Sequence, residues 1–121
     1  MEPLSSMKCE VCRPGSLPVS AEERARLLPQ IPGWRTVERE GVEQLERSFR
    51  FDDFIEALAF TNAVGILAED QDHHPAILTE YGRVTVRWWT HAIGGLHRND
   101  FIMAARTDRA AGGGLTGEDQ R

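Results

Sequence analysis

A chain of 121 residues, 27% of them charged, fits one globular domain with a real core and leaves no room for two. Its formal net charge of -5 argues against a nucleic-acid or anionic-membrane partner. The basic residues, all Arg except Lys8, are dispersed among acids rather than gathered in a stripe. No apolar run approaches the ~18 residues that cross a bilayer and the start carries no signal pattern, so a cytoplasmic protein is expected.

Residues 1–18 hold Pro3, Pro14, Gly15 and Pro18 and read as a flexible arm. The arm carries a lone C-x-x-C pair, Cys9 and Cys12. Structural zinc needs four ligands and no second pair exists, while a redox pair belongs at the start of a helix in a βαβ unit. A silent pair is the simplest reading; a metal shared between subunits, or oxidation, are the alternatives. Ser20 with Glu23 is a capping box for a short helix over 21–28 that Pro29 and Pro32 end. A strand from Trp34 to Val37, a turn at Glu40-Gly41 and an alternating run from Leu45 to Phe51 predict a hairpin. Asp52 or Asp53 caps a long helix reaching about Asp70. Its apolar residues, from Phe54 and Ile55 to Ile66 and Leu67, cover nearly the whole circumference, so a homodimer or homotetramer covering one side is expected, with a loosely covered helix in a single-domain core as the alternative.

A second hairpin is expected from Ile77–Tyr81 and Val84–Thr90 about a Gly82-Arg83 loop. A last helix starts between His97 and Asp100 and ends at the Gly112-Gly113-Gly114 run, with 112–121 expected to be disordered. The order α-β-β-α-β-β-α gives an α+β domain over 19–111, a four-stranded antiparallel sheet from two hairpins with three helices on one face.

Three of the four histidines, His73, His74 and His91, fall around one turn and one strand end. Side chains of the adjacent pair diverge, so one can enter a pocket while the other sits at its rim. Pro75 pushes His74 out of the α region and fixes that turn. Imidazoles titrate near neutrality, so such a set can supply a base, an acid and an orienting group. Asp100, Glu69 or Asp72 can hold a tautomer. Zinc is the weaker reading, because no H-x-H or H-x-x-x-H spacing occurs among the three. A polar surface turn with a satisfied half-buried His91 is the bland alternative. His97 reads as a surface or N-cap residue.

Glu69, Asp72-His73-His74-Pro75, Tyr81, Val84, Thr90-His91, Gly95-Leu96 and Asp100 together resemble the pterin-4a-carbinolamine dehydratases. Trp34, Phe51, Asp53-Phe54 and Phe60 extend the likeness over roughly 20–108, and the C-x-x-C arm is similar to that of bacterial members. The resemblance implies dehydration of 4a-hydroxytetrahydrobiopterin to quinonoid dihydropterin, without metal or organic cofactor. It implies that His73 and His91 are the acid/base pair and that His74 positions the pterin. Glu69, Asp72, Pro75 and Asp100 would orient imidazoles or bind the ring, and Tyr81 and Trp34 would wall the pocket. Ala76-Ile77 after the turn, Asp70 after Glu69 and Leu96-His97-Arg98-Asn99 depart from the commoner pattern without removing an acid/base group. The family also implies an alternative, a silent dehydratase-like protein that binds other proteins, for example as an assembly factor for ribulose-bisphosphate carboxylase in a carboxysome setting.

Overall fold

The computed structural model describes residues 3–11 and 15–112. Cys12 and residues 113–121 of the expected tail lie outside the described residues, while Gly112, expected to open that tail, is the last residue of the final helix. Helix α1 is Ala21–Leu27, strands β1 and β2 are Arg35–Arg39 and Val42–Arg50, helix α2 is Phe54–Gln71, strands β3 and β4 are Ala76–Glu80 and Arg83–Trp88, and helix α3 is Arg98–Gly112. The strands form one antiparallel sheet in the order β1-β2-β4-β3. The expected α+β order therefore holds, with each hairpin intact and β2 joined to β4 in the middle.

The caps follow the sequence. Ser20 accepts from the Glu23 N–H at 3.0 Å, and Asp53, rather than Asp52, accepts from the Glu56 N–H at 2.8 Å. The second hairpin is shifted by one residue from expectation: Glu80 pairs with Arg83, so Tyr81-Gly82 is the loop, with Gly82 supplying the positive φ of 75°. In the first, Glu40 and Gly41 take φ of 53° and 79°, the tight mirror-image geometry that matches strand twist.

Alternation sends Leu45 and Phe49 of β2 and Val84, Val86 and Trp88 of β4 to one face, where α2 and α3 pack on them. Phe60 of α2 sits 4.8 Å from Phe49, ring centre to ring centre. Trp34 lies edge-on to Phe49 and donates its Nε1–H to Asp108 at 2.8 Å, tying the entry of β1 to α3. Residues 3–11, read from the sequence as an arm, run along α3, and Leu4, 1% exposed, is in the core. Burying a leucine contributes about 1.5–3 kcal/mol.

On the other face Glu46 accepts from Arg35 at 2.7 Å and Arg39 at 2.8 Å. Burial pushes the Glu46 carboxyl up, but the two guanidinium hydrogen bonds outweigh it and the net direction is down from 4.5. A depressed folded value stabilises the fold above the ordinary carboxylate range, and that contribution fades as pH falls through the folded value. Glu46→Gln is therefore expected to cost about 1 kcal/mol at pH 7, both arginines keeping water on their outer sides. Urea unfolding should show the gap narrowing as pH falls below the ordinary carboxylate range; a gap as large there as at neutral pH contradicts the assignment.

Candidate active site

The site forms where α2 ends, β4 ends and α3 begins. Asp72 terminates α2 in the left-handed region, φ 51° and ψ 44°, a conformation Asp tolerates better than most side chains. Its N–H returns to the Ala68 and Glu69 carbonyls and the His73 N–H to Ala68 at 3.1 Å, so the chain reverses and His73 turns inward. His73 is buried and lies nearly parallel to Trp88, 5.8 Å between ring centres. Trp88 is itself held by its Nε1–H bond to Thr107 Oγ1 at 3.0 Å.

Asp100, 0% exposed, stands opposite. Its Oδ1 is 2.7 Å from His73 Nε2, and its Oδ2 accepts from Thr90 Oγ1 at 2.8 Å and from the His97 N–H at 2.9 Å. The Asn99 N–H bonds back to His97 Nδ1 at 3.0 Å, which makes His97 the cap of α3 and Asp100 the acid of a capping box. One carboxylate thus closes the helix start, ties it to the turn after β4 through Thr90 and orients His73. An ionised carboxylate only accepts, so with Asp100 as partner Nε2 carries the hydrogen and Nδ1 is the acceptor nitrogen of the ring.

His74 points the other way, to the rim, with Nε2 2.9 Å from Glu69 Oε1, and both side chains are exposed. Beyond β4 the Thr90 N–H bonds to the Gly95 carbonyl at 2.8 Å, and Gly94 takes φ 61°, closing a short turn that projects His91. The strand ends at Trp88, not Thr90, so His91 is placed by this turn rather than by strand alternation. Its ring leans on Trp89 at 4.6 Å.

His73, His74, His91 and Asp72 line one cavity of about 340 Å³ with Gln71, Thr90 and Ala92, and Cys9, Glu10 and Val11 close it from the N-terminal side. The size suits a small heterocycle. Glu69 and Asp100 act on its histidines from behind or from the rim. Pro75 follows the cavity residue His74. Two expected wall residues are elsewhere in this chain: Trp34 is bonded to Asp108, and Tyr81, 76% exposed, sits in the hairpin loop at the far end of β3. Pattern spacing cannot tell the two ends of a strand apart.

Sequence reasoning left out Thr90 as a positioning group, Trp88 as the surface under His73, and Cys9, Glu10 and Val11 as lining. The inward parity of Trp88 with Val84 and Val86 was the available signal for the second. Nothing local announced the third. Among the described residues no group of three or more His, Cys, Asp and Glu is gathered to hold a metal ion, and no helix is long and apolar enough to cross a membrane.

Residues 17–110 match the family model described as pterin 4 alpha carbinolamine dehydratase. A Nitrosococcus oceani protein provisionally named a pterin-4-alpha-carbinolamine dehydratase is 59% identical over 109 residues, 90% of this chain and 96% of its own. A Gloeobacter violaceus protein of the same provisional name is 60% identical over 108 residues, 89% of this chain and 93% of its own. The crystal structure of a Brucella melitensis protein described as a transcriptional coactivator/pterin dehydratase is similar with a TM-score of 0.70 and 34% identity, over 78% of this chain and 99% of that one. With the fold, the histidine turn and the matched span in agreement, the chain belongs to the pterin 4 alpha carbinolamine dehydratase family.

Proposed function

We propose that this protein dehydrates 4a-hydroxytetrahydrobiopterin to quinonoid dihydropterin by histidine acid/base catalysis, with no cofactor. The observation that carries the reading is the buried His73–Asp100 pair, 2.7 Å apart, on the wall of a cavity that two further histidines share.

The reaction removes hydroxide from C4a and a proton from N5, and the two combine to release water. Both halves need help near neutral pH. Hydroxide is a poor leaving group unless protonated, and N5 gives up its proton to a placed base. His73 is the better base: Asp100 holds Nε2–H and stabilises the imidazolium formed when Nδ1 takes the N5 proton, the role a buried carboxylate plays in hydrolase triads. His91, exposed on its turn, donates to the departing hydroxyl. His74, steadied by Glu69, meets the pterin at the rim, and Asp72 lies beside it. Because the proton taken from N5 equals the proton given to the hydroxyl, the cycle closes by transfer between imidazoles or through water.

A partner copy belongs to the same reading. Ile55 and Ile66 on α2 are 73% and 71% exposed, with Leu58 between them, and a second chain laid on this stripe removes that apolar surface from water. Ile55→Glu/Ile66→Glu is expected to reduce a dimer or tetramer to single chains in light scattering, whereas a wild type that already runs as a single chain contradicts the proposal. The same stripe supports the second reading, a protein-binding module on this fold. Turnover separates the two: a binding module leaves the spontaneous dehydration rate unchanged.

A further inference from the structure

We propose that Cys9–Val11 are a built wall of the substrate cavity, so that the N-terminal strap, ahead of the family-matched span, helps hold the pterin. The inference deepens the dehydratase reading and rests on it.

Three consecutive strap residues line the cavity beside His73, His74 and His91. Cys9 and Glu10 are held by bonds to their main chain, not by chance packing of side chains. Asn99, 1% exposed, accepts the Glu10 N–H at Oδ1, 3.0 Å, and donates from Nδ2 to the Glu10 carbonyl at 2.7 Å. A buried amide is costly unless satisfied, and this one pairs with residue 10 as a neighbouring strand would. Gln71 Oε1 accepts the Cys9 N–H at 2.9 Å. Further along, Arg106 donates twice to the Met7 carbonyl, at 2.8 and 2.6 Å, and Leu4 anchors the strap in the core.

The positions of the anchors matter. Asn99 immediately precedes Asp100, and Gln71 stands two residues before His73. The strap is therefore fastened to the same two helix ends that set the His73–Asp100 geometry. A wall made of bonded main chain loses little conformational freedom when a ligand arrives, which is what preorganised binding requires. The strap touches no reacting atom in this scheme; its effect is on holding the substrate.

Glu10→Pro removes the N–H that Asn99 accepts while leaving Leu4 and Met7 in place. Its dissociation constant for 7,8-dihydrobiopterin, read by calorimetry, should rise roughly tenfold, with KM rising in step and kcat staying within about twofold. Lys8 is the single lysine of the chain, so a lysine-specific protease reports strap release by one cut. In the unmutated protein, saturating 7,8-dihydrobiopterin should slow that cut several-fold, because the ligand favours the fastened strap. This second measurement stands even where the proline variant folds poorly.

Pterin binding by Glu10→Pro equal to wild type, or cutting at Lys8 that pterin does not slow, overturns the inference while leaving the dehydratase reading intact. A wild-type chain that binds no pterin overturns both.

Discussion

Asp100→Asn is expected to lower dehydration by roughly 10²- to 10⁴-fold while the protein stays folded. The amide has the shape of the carboxylate, and its oxygen can still accept from Thr90 Oγ1 and the His97 N–H, the bonds that close α3. Its NH₂ then faces His73 Nε2. A donor there forces Nε2 to become the acceptor and moves the hydrogen to Nδ1, the nitrogen that has to take the N5 proton. The base is present, correctly placed and in the wrong tautomer. Loss of the negative charge also removes what steadies the imidazolium. Because the change falls on proton transfer, kcat should carry most of the loss and KM little. Unfolding experiments should show a cost of about 1–3 kcal/mol, that of one charge-assisted hydrogen bond replaced by a neutral one in a buried site. Activity within a few-fold of wild type in a folded Asp100→Asn protein removes the pair from the mechanism.

The second large effect is His73→Ala, with an expected loss of roughly 10²- to 10⁴-fold in kcat. It differs from the first in what it does to the fold. Removing the ring empties the space beside Trp88, 5.8 Å away, and leaves Asp100 Oδ1 buried without its partner. The stability cost should therefore exceed that of Asp100→Asn, at about 2–4 kcal/mol. Thr90 and the His97 N–H still hold the other carboxylate oxygen, so the start of α3 survives. Added imidazole can enter the vacated space and should restore part of the rate, which a purely structural role for His73 does not predict. The double change His73→Ala/Asp100→Asn should be little slower than His73→Ala alone, because the two residues act as one unit.

Much of this was legible in the residues. Alternation in Leu45–Phe51 and Val84–Trp88, the Ser20 and Asp53 caps and the Glu40-Gly41 turn fixed the element order, since each is a short-range signal with one physical outcome. The histidine turn was legible for a similar reason. So few histidines, two of them in a Pro-bounded turn and a third at a strand end, stand out against composition. What stayed hidden depends on tertiary placement. The left-handed Asp72 that swings His73 inward is one residue past where helix periodicity ends. Trp34 and Tyr81 carry the right chemistry for a pterin wall, but one is bonded to Asp108 in α3 and the other lies at the far end of β3. Strap residues Cys9–Val11 look like any Pro-rich arm until Asn99, some ninety residues later in the chain, is seen to bond residue 10. His91 stood out by its place at the expected end of β4, but the strand stops at Trp88 and the Thr90–Gly95 turn delivers the ring.

If the proposed function holds, the cavity histidines accelerate loss of water from a 4a-hydroxytetrahydropterin. The direct measurement is the rate of that dehydration, with the carbinolamine generated in situ, for wild type and for His73→Ala/His91→Ala against the spontaneous rate. Acceleration well above background is expected in the wild type and a rate near background in the double variant. A folded wild type that leaves the spontaneous rate unchanged, or a double variant that matches the wild type, contradicts it.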